Sequence, residues 1–279
     1  MTLHLLPVRT AGAAENMAVD FLLLQRYPEP TAARFRHYEW RRPAATFGYS
    51  QKIEFVRANL PCEASAKQGP AVPVTLDLCR RVTGGGIVDH RSDWTYALVI
   101  PRGHPLEEQP APLSYRRIHE ALAATLVALG QPAEVKMECA PVERVDPDAL
   151  SGKASCLPGD GPDKHRAGIS QQRCPAAPPL GPGVCFQRAE LYDVIHPTTG
   201  AKIAGAAQKR NKRGLLFQGS IEKSAVGAID WDAFHTHFAT TLAATLEIAP
   251  QETSWPDFNE DEVTGLIEQY SSPEWIEYR

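Results

Sequence analysis

"RRVTGGGIVDH", residues 80–90, is the stretch on which the reading of this chain turns. Two arginines run into Gly84, Gly85 and Gly86, and the pair Asp89-His90 closes the stretch. A glycine inside an element costs about 0.5–1 kcal/mol relative to alanine, so three in succession imply a tight turn or a surface where bare backbone meets a ligand. Upstream, "PVTLDLCRRV" sets Val74, Leu76 and Leu78 on one face at period two, a strand that the glycines end. Downstream, "WTYALVI" puts Trp94, Tyr96, Leu98 and Ile100 on one side and few polar groups on the other, as a strand buried on both faces requires. The two strands are expected to pair around the loop. No Lys-Ser/Thr pair follows the glycines and no third spaced glycine is present, so the loop is neither a P-loop nor a dinucleotide fingerprint. On these residues alone, a ligand-contacting loop and a structural turn are equally open.

Helical periodicity flanks this region. Met17/Ala18, Phe21/Leu22 and Leu24 form one face of a helix over 15–27, with Asp20 and Arg26 on the other side. Ile118, Leu122, Leu126 and Leu129 mark a helix from Ser114, read as its N-cap, to Leu129, with Gly130 as the stop. "ARFRHYEW" is rich in aromatics, and "VCFQRAELYDVIH", "AKIAGAAQKR" and "GLLFQGSI" read as three successive strands, the first two joined by the turn "PTTG". Two helices follow, over 231–246 and 259–270. This mixed order predicts an α+β (α/β) domain with a largely antiparallel sheet flanked by helices. Residues 141–183 are dense in Pro and Gly and read as an irregular insertion within one domain spanning 1–279, because strand patterns resume directly after it.

The 279 residues, 43% hydrophobic and 22% charged with a formal charge of -4, are ordinary for a globular protein and exclude a nucleic-acid-binding composition. No apolar run approaches the roughly 18–20 residues that span a bilayer, and "MTLHLLPVRT" lacks the pattern of a signal peptide, so a cytoplasmic protein is expected, with no membrane partner. Six cysteines without a CxxC pair argue against a zinc site, and no metal is expected. His235 and His237 lie two apart on a helix, point to different faces and are expected in solvent. "KRNKR", from Lys209, reads as a solvated turn or as a contact for an acidic partner surface.

Taken together, "RRVTGGGIVDH", "WTYALV", "KIAGAAQKR" and "LLFQGSI" resemble the biotin/lipoate protein ligase catalytic family, in its branch of lipoate-protein ligases and octanoyltransferases. "NMAVD" at 16–20, "FGYSQ" at 47–51 and "YSSPEW" at 270–275 extend the resemblance over nearly the whole chain outside the Pro/Gly-rich stretch. The resemblance implies a class II synthetase-like catalytic fold. It also implies that Arg80, Arg81, Thr83, Gly84, Gly85, Gly86, His90, Lys202 and Gly205 surround the acyl carbonyl or its activated form. An ammonium and glycine-freed backbone amides suit that task, because both stabilise negative charge developing on a carbonyl oxygen. Without the motif, Lys202 would be read as a solvated strand lysine.

Cys185, 17 residues before Lys202, resembles the "CF" cysteine of the cysteine-dependent octanoyltransferases, followed here by Tyr192-Asp193. A thiolate attacks a carrier thioester with little loss of acyl-transfer potential, so this branch uses no cofactor. Read without the resemblance, Cys185 would be a small buried hydrophobe. The preferred expectation is an acyltransferase that moves octanoyl or lipoyl from acyl carrier protein, or from another lipoyl domain, through a Cys185 thioester. Its acceptors would be lysines of the lipoyl domains of 2-oxoacid dehydrogenases or of the glycine cleavage H protein. An ATP- and Mg-dependent lipoate-protein ligase is the second reading, though many ligases carry an accessory domain for which the tail leaves little room. A non-catalytic lipoyl-domain binding protein is the third. A biotin ligase fits less well, since its glycine loop carries arginines between the glycines.

Overall fold

The computed structural model describes residues 1–60, 76–138 and 188–278. Cys185, Val74 and the 141–183 insertion lie outside the described residues. In chain order the elements are β1 (Thr2–Leu5), β2 (Arg9–Ala11), α1 (Ala13–Gln25), β3 (Ala33–Trp40), β4 (Ala44–Phe47) and α2 (Ile53–Asn59). There follow β5 (Asp77–Arg80), β6 (Ile87–Asp89), β7 (Asp93–Pro101), α3 (Pro105–Glu108), α4 (Ala111–Ala128), β8 (Glu134–Val135) and β9 (Val194–Ile195). Last come β10 (Lys202–Asn211), β11 (Gly214–Glu222), α5 (Trp231–Thr245), β12 (Ala249–Glu252), α6 (Glu260–Ser271) and α7 (Pro273–Ile276).

The main sheet runs β12-β1-β3-β7-β11-β10-β9-β8, with β2 also on β3. From β3 through β8 every pairing is antiparallel, and the β1 edge is parallel, so the mixed, largely antiparallel α+β expectation holds. All nine residues of β7 are buried. Trp94, Tyr96, Leu98 and Ile100 pack on one face against α4 and α5, where Ile118, Leu122, Phe234 and Phe238 meet them. Each such side chain removed from water contributes about 1.5–3 kcal/mol. Ala97 and Val99 face the other way, onto Met17 and Leu24 of α1, which is itself covered by Leu266 and Ile267 of α6.

Five local expectations change, His235 among them. The strand before the glycines does not pair with β7: β5 lies parallel to β4, and β6 returns antiparallel on β4's other edge, making a separate three-stranded sheet. The edges of β7 are taken by β3 and β11, whose registers on it are longer than that of β5 on β4. Helix α4 starts three residues before Ser114, because Pro110 and Pro112 pre-set the first turn, and the Ser114 hydroxyl donates to the Ala111 carbonyl inside it. Asp20 is not on a solvated face of α1. It is fully buried, with Oδ1 2.6 Å from Nη2 of the equally buried Arg36. The described part of "VCFQRAELYDVIH" is mostly turn: Tyr192 sits at φ 68°, Asp193 accepts the Glu190 amide, and only Val194–Ile195 is strand.

The remaining elements follow the periodicities. Gly130 (φ 77°) ends α4, "PTTG" closes the β9–β10 hairpin with Gly200 at φ 69°, and of "KRNKR" only Lys212-Arg213 turns between β10 and β11, Lys209 to Asn211 being strand. His235 departs from expectation: it is partly buried in a cluster with Phe35, His37 and Trp94, and burial lowers its pKa, while His237 is exposed. No described helix is long and apolar enough to cross a membrane, and the described residues hold no group of three or more metal-ligating side chains.

Candidate active site

The glycine loop lies between β5 and β6 and is clasped by the "FGYSQ" turn. The Tyr49 amide donates to Thr83 O at 2.8 Å, the Arg81 amide to Phe47 O at 2.8 Å, and Gln51 Nε2 to Gly85 O at 3.0 Å. Gly85 alone of the three glycines holds a positive φ, at 89°, which excludes side chains at little cost only for glycine. The closest approach is at Gly48, where a Cβ would meet Gly85 O at 2.1 Å and Gly84 O at 2.8 Å. Both obstacles are backbone, so Gly48→Ala is expected to cost about 1–3 kcal/mol and to displace the loop. A urea titration of the variant measures this, and an unchanged midpoint would mean that the clasp does not set the loop.

The two arginines of the stretch do different work. Arg80 is fully buried, and its guanidinium donates to the carbonyls of Tyr49, Gln51, Trp275 and Ile276 at 2.7–2.9 Å. It therefore braces the turn and the C-terminal "YSSPEW" segment, whose Trp275 indole returns a bond to Arg80 O at 2.9 Å. Arg81 curls under the loop, donating to Gly84 O and Gly86 O at 3.0 Å each and to Thr46 Oγ1 at 2.7 Å.

From Arg81 a chain of buried hydrogen bonds runs in both directions. On one side Thr46 Oγ1 lies 2.7 Å from His90 Nε2, and His90 Nδ1 lies 2.7 Å from Asp93 Oδ2. Thr46 Oγ1 thus bridges the Arg81 guanidinium and one edge of the His90 ring, whose other nitrogen faces the Asp93 carboxylate. Burial alone would raise Asp93, but His90 and the hydroxyls of Ser220 and Thr95 hold it below the usual carboxylate range. On the other side Thr83 donates to Gln218 Oε1, Gln218 Nε2 to Asp20 Oδ2, each at 2.7 Å, and Asp20 pairs with Arg36. The widely separated "NMAVD", "RRVTGGG" and "LLFQGSI" motifs thus meet through Asp20, Thr83 and Gln218.

A narrow open cleft lies over this network, lined among others by Arg81, Gly85, Gly86, His90, Gly205 and Gln218. Lys202 stands at its Gly205 end. A Cβ on Gly205 would lie 2.7 Å from both Cε and Nζ of Lys202, so only glycine lets the lysine fold down beside the strand. Lys202 is buried, and its Nζ lies 2.8 Å from Asp193 Oδ2. Asp193 is completed by the Tyr115 hydroxyl at 2.6 Å and the Glu190 amide at 2.7 Å. Such a held ammonium stabilises developing negative charge without reorganising.

The structure thus brings Arg81, Gly85, Gly86, His90 and Gly205 together around one cleft, with Lys202 packed against Gly205 and not itself among the lining residues. It places Thr83 beneath the loop, Gly84 at its exposed tip and Arg80 behind it. Thr46, Tyr115 and Gln218 escaped the sequence reading because their roles come from contacts across 35 to 135 residues, and Asp93 because nothing in its own segment marks it as the partner of His90.

Residues 12–242 match the lipoyl protein ligase A/B catalytic domain. The chain is 29% identical to octanoyltransferase LipM of Exiguobacterium sp. over 99% of this chain and 98% of that protein. It is 30% identical to octanoyltransferase LipM of Moorella thermoacetica over 79% of this chain, spanning 64% of that longer relative. Among solved structures, a bi-partite lipoate protein ligase from Thermoplasma acidophilum superposes with TM-score 0.64 at 18% identity, covering 100% of this chain and 98% of that one. A lipoate-protein ligase A bound with ATP superposes with TM-score 0.63 at 16% identity and 99% coverage of both chains. At these identities the structures speak to fold, and the sequence match assigns the family: this chain belongs to the lipoyl protein ligase A/B catalytic domain family.

Proposed function

We propose that this protein is an octanoyltransferase of protein lipoylation, moving an octanoyl or lipoyl group from a carrier thioester to a lipoyl-domain lysine through a thioester on Cys185. The single observation that carries the reading is the end-to-end similarity to an octanoyltransferase, 29% identical over 99% of the chain. The site geometry supports it: Lys202, paired with Asp193, packs its ammonium against Gly205 of the cleft lining, where it would supply positive charge to the reacting carbonyl.

In the first step the Cys185 thiolate adds to the carrier thioester carbonyl, and Lys202 stabilises the oxyanion. Collapse forms the Cys185 thioester and releases the carrier thiolate, which takes a proton. In the second step the neutral amine of the acceptor lysine attacks, the amide forms and the Cys185 thiol is regenerated. Because acyl-transfer potential is conserved between thioesters, no nucleotide is required. The proposed donor is octanoyl acyl carrier protein, and the proposed acceptors are lipoyl domains of 2-oxoacid dehydrogenases or the glycine cleavage H protein. A cytoplasmic location belongs to the same proposal.

The test is intact-protein mass after incubation with octanoyl acyl carrier protein and no ATP, alongside Cys185→Ser. The expected result is one octanoyl adduct on the parent that hydroxylamine removes, and no hydroxylamine-labile adduct on the variant. Absence of an adduct, together with modification of a lipoyl domain from free lipoate, ATP and magnesium, would replace the transferase reading with the ligase one.

A further inference from the structure

Helix α4 places Tyr115 and His119 one turn apart, with their rings edge-to-face at 4.1 Å, against the turn that carries Asp193. His119 is fully buried, burial lowers its pKa to about 4, and its Nδ1 lies 2.6 Å from the carbonyl of Tyr192. A neutral imidazole facing a carbonyl donates from Nδ1. It thereby holds a residue at φ 68°, a backbone conformation unfavourable for any side chain but glycine. Immediately after it, Tyr115 donates to Asp193 Oδ1 at 2.6 Å and accepts the Ala206 amide at 3.0 Å. The short strand β9 last pairs with β10 at Val194 and Ala204, so the phenol takes up an amide of β10 just beyond the end of that pairing. One hydroxyl therefore joins α4, the Asp193 carboxylate and the strand that begins with Lys202.

We infer that Tyr115 is a positioning residue for acyl transfer, acting through Asp193 to set the place and orientation of the Lys202 ammonium, with His119 fixing the turn beneath. The inference rests on the proposed function for its kinetic consequence, though its structural content does not. Oδ2 of Asp193 faces Lys202 at 2.8 Å and accepts the Glu190 amide at 2.7 Å, while Oδ1 is held by Tyr115. With the phenol gone, Oδ1 loses its anchor, the carboxylate tilts about the remaining Glu190 bond, and the lysine follows it. Misplacement by about 1 Å is enough to cost up to roughly a hundredfold in rate. A loss of transition-state contact alone lowers kcat and leaves KM near its parent value.

The experiment uses Tyr115→Phe, which keeps the ring against His119, in the full-length protein. Steady-state octanoyl transfer, thermal unfolding and competitive amine labelling of Lys202 against exposed Lys212, read by peptide mass, are measured on the parent and variant. The expected result is a kcat roughly ten- to a hundredfold lower with KM little changed. Labelling of Lys202 relative to Lys212 should rise several-fold, with the unfolding temperature close to the parent's. In an Asp193→Asn background the same replacement should have little further effect, because residues acting in one chain are not additive. Unchanged labelling of Lys202, or an unchanged kcat, overturns the inference. Independent, multiplying effects of the two replacements also overturn it. A parent protein inactive with every octanoyl or lipoyl donor would sink the functional reading instead, and the labelling ratio would still decide whether Tyr115 sets Lys202.

Discussion

Lys202→Met lowers kcat for octanoyl transfer by roughly 10²–10³ while the acyl donor still binds, the size of effect expected from removing one preorganised group at a developing oxyanion. Methionine matches the length of the lysine stem, so Gly205 continues to accommodate the side chain. The variant also leaves Asp193 buried with Tyr115 and Glu190 as donors but no cation. Breaking a buried pair on one side destabilises by about 3–5 kcal/mol, so activity and stability fall together. Adding Asp193→Asn separates them: neutralising the carboxyl restores most of the stability and none of the activity. Kinetics and thermal unfolding of both variants decide the matter. A Lys202→Met enzyme that turns over near the parent rate would remove the lysine from the chemistry.

Arg36→Met produces a loss of stability of the same size, at a pair remote from the acyl-transfer step. Arg36 and Asp20 are both fully buried, and Arg36 also donates to the Asn16 carbonyl at 2.7 Å and stacks over the Tyr38 ring at 4.0 Å. Without the guanidinium, Asp20 keeps only Gln218 and Tyr38, and the expected cost is again about 3–5 kcal/mol. For a chain of this size that corresponds to a fall of about 10 °C in unfolding temperature. The pH dependence has a definite sign. Burial already raises the Asp20 pKa in the folded protein, and loss of Arg36 removes the opposing charge. A carboxyl whose folded pKa lies above its unfolded value penalises folding above that folded pKa and is relieved as pH falls through it. The deficit of the variant relative to the parent therefore narrows as the pH is lowered from neutral. A deficit that does not change as the pH falls would show that Asp20 is not the group left uncompensated. Since Gln218 links Asp20 to Thr83, the glycine loop should loosen as well, and kcat should fall in the same variant.

Periodicity located most helices and strands because amphipathic patterns of 3.6 and 2.0 residues survive in any tertiary setting. It misread Asp20 for a related reason. A polar residue on an otherwise apolar helix reads as solvent-facing unless its cation is known, and Arg36 comes from β3, 16 residues away. The glycine loop, Lys202 and Gly205 were legible as motifs, because close backbone approach leaves glycine as its mark in the sequence. The hydroxyls and amides that organise them were not. Thr46, Tyr115 and Gln218 are ordinary residues in their own segments.

The sequence by itself therefore determined the family, the mixed α+β order of elements, and the loop, lysine and glycine around which the proposed chemistry is built. Local propensity and close-approach constraints act within a few residues and leave readable traces. Only the tertiary structure decided that β5 leaves β7 for a separate small sheet, and that Arg80 braces the C-terminal segment while Arg81 underlies the loop. Only it showed that Asp20, Thr83 and Gln218 form one buried chain and that Tyr115 and Asp193 hold Lys202. These are pairings between groups far apart in the chain. The cost of burying a polar atom without a partner selects them, and that cost takes effect only once the core has closed.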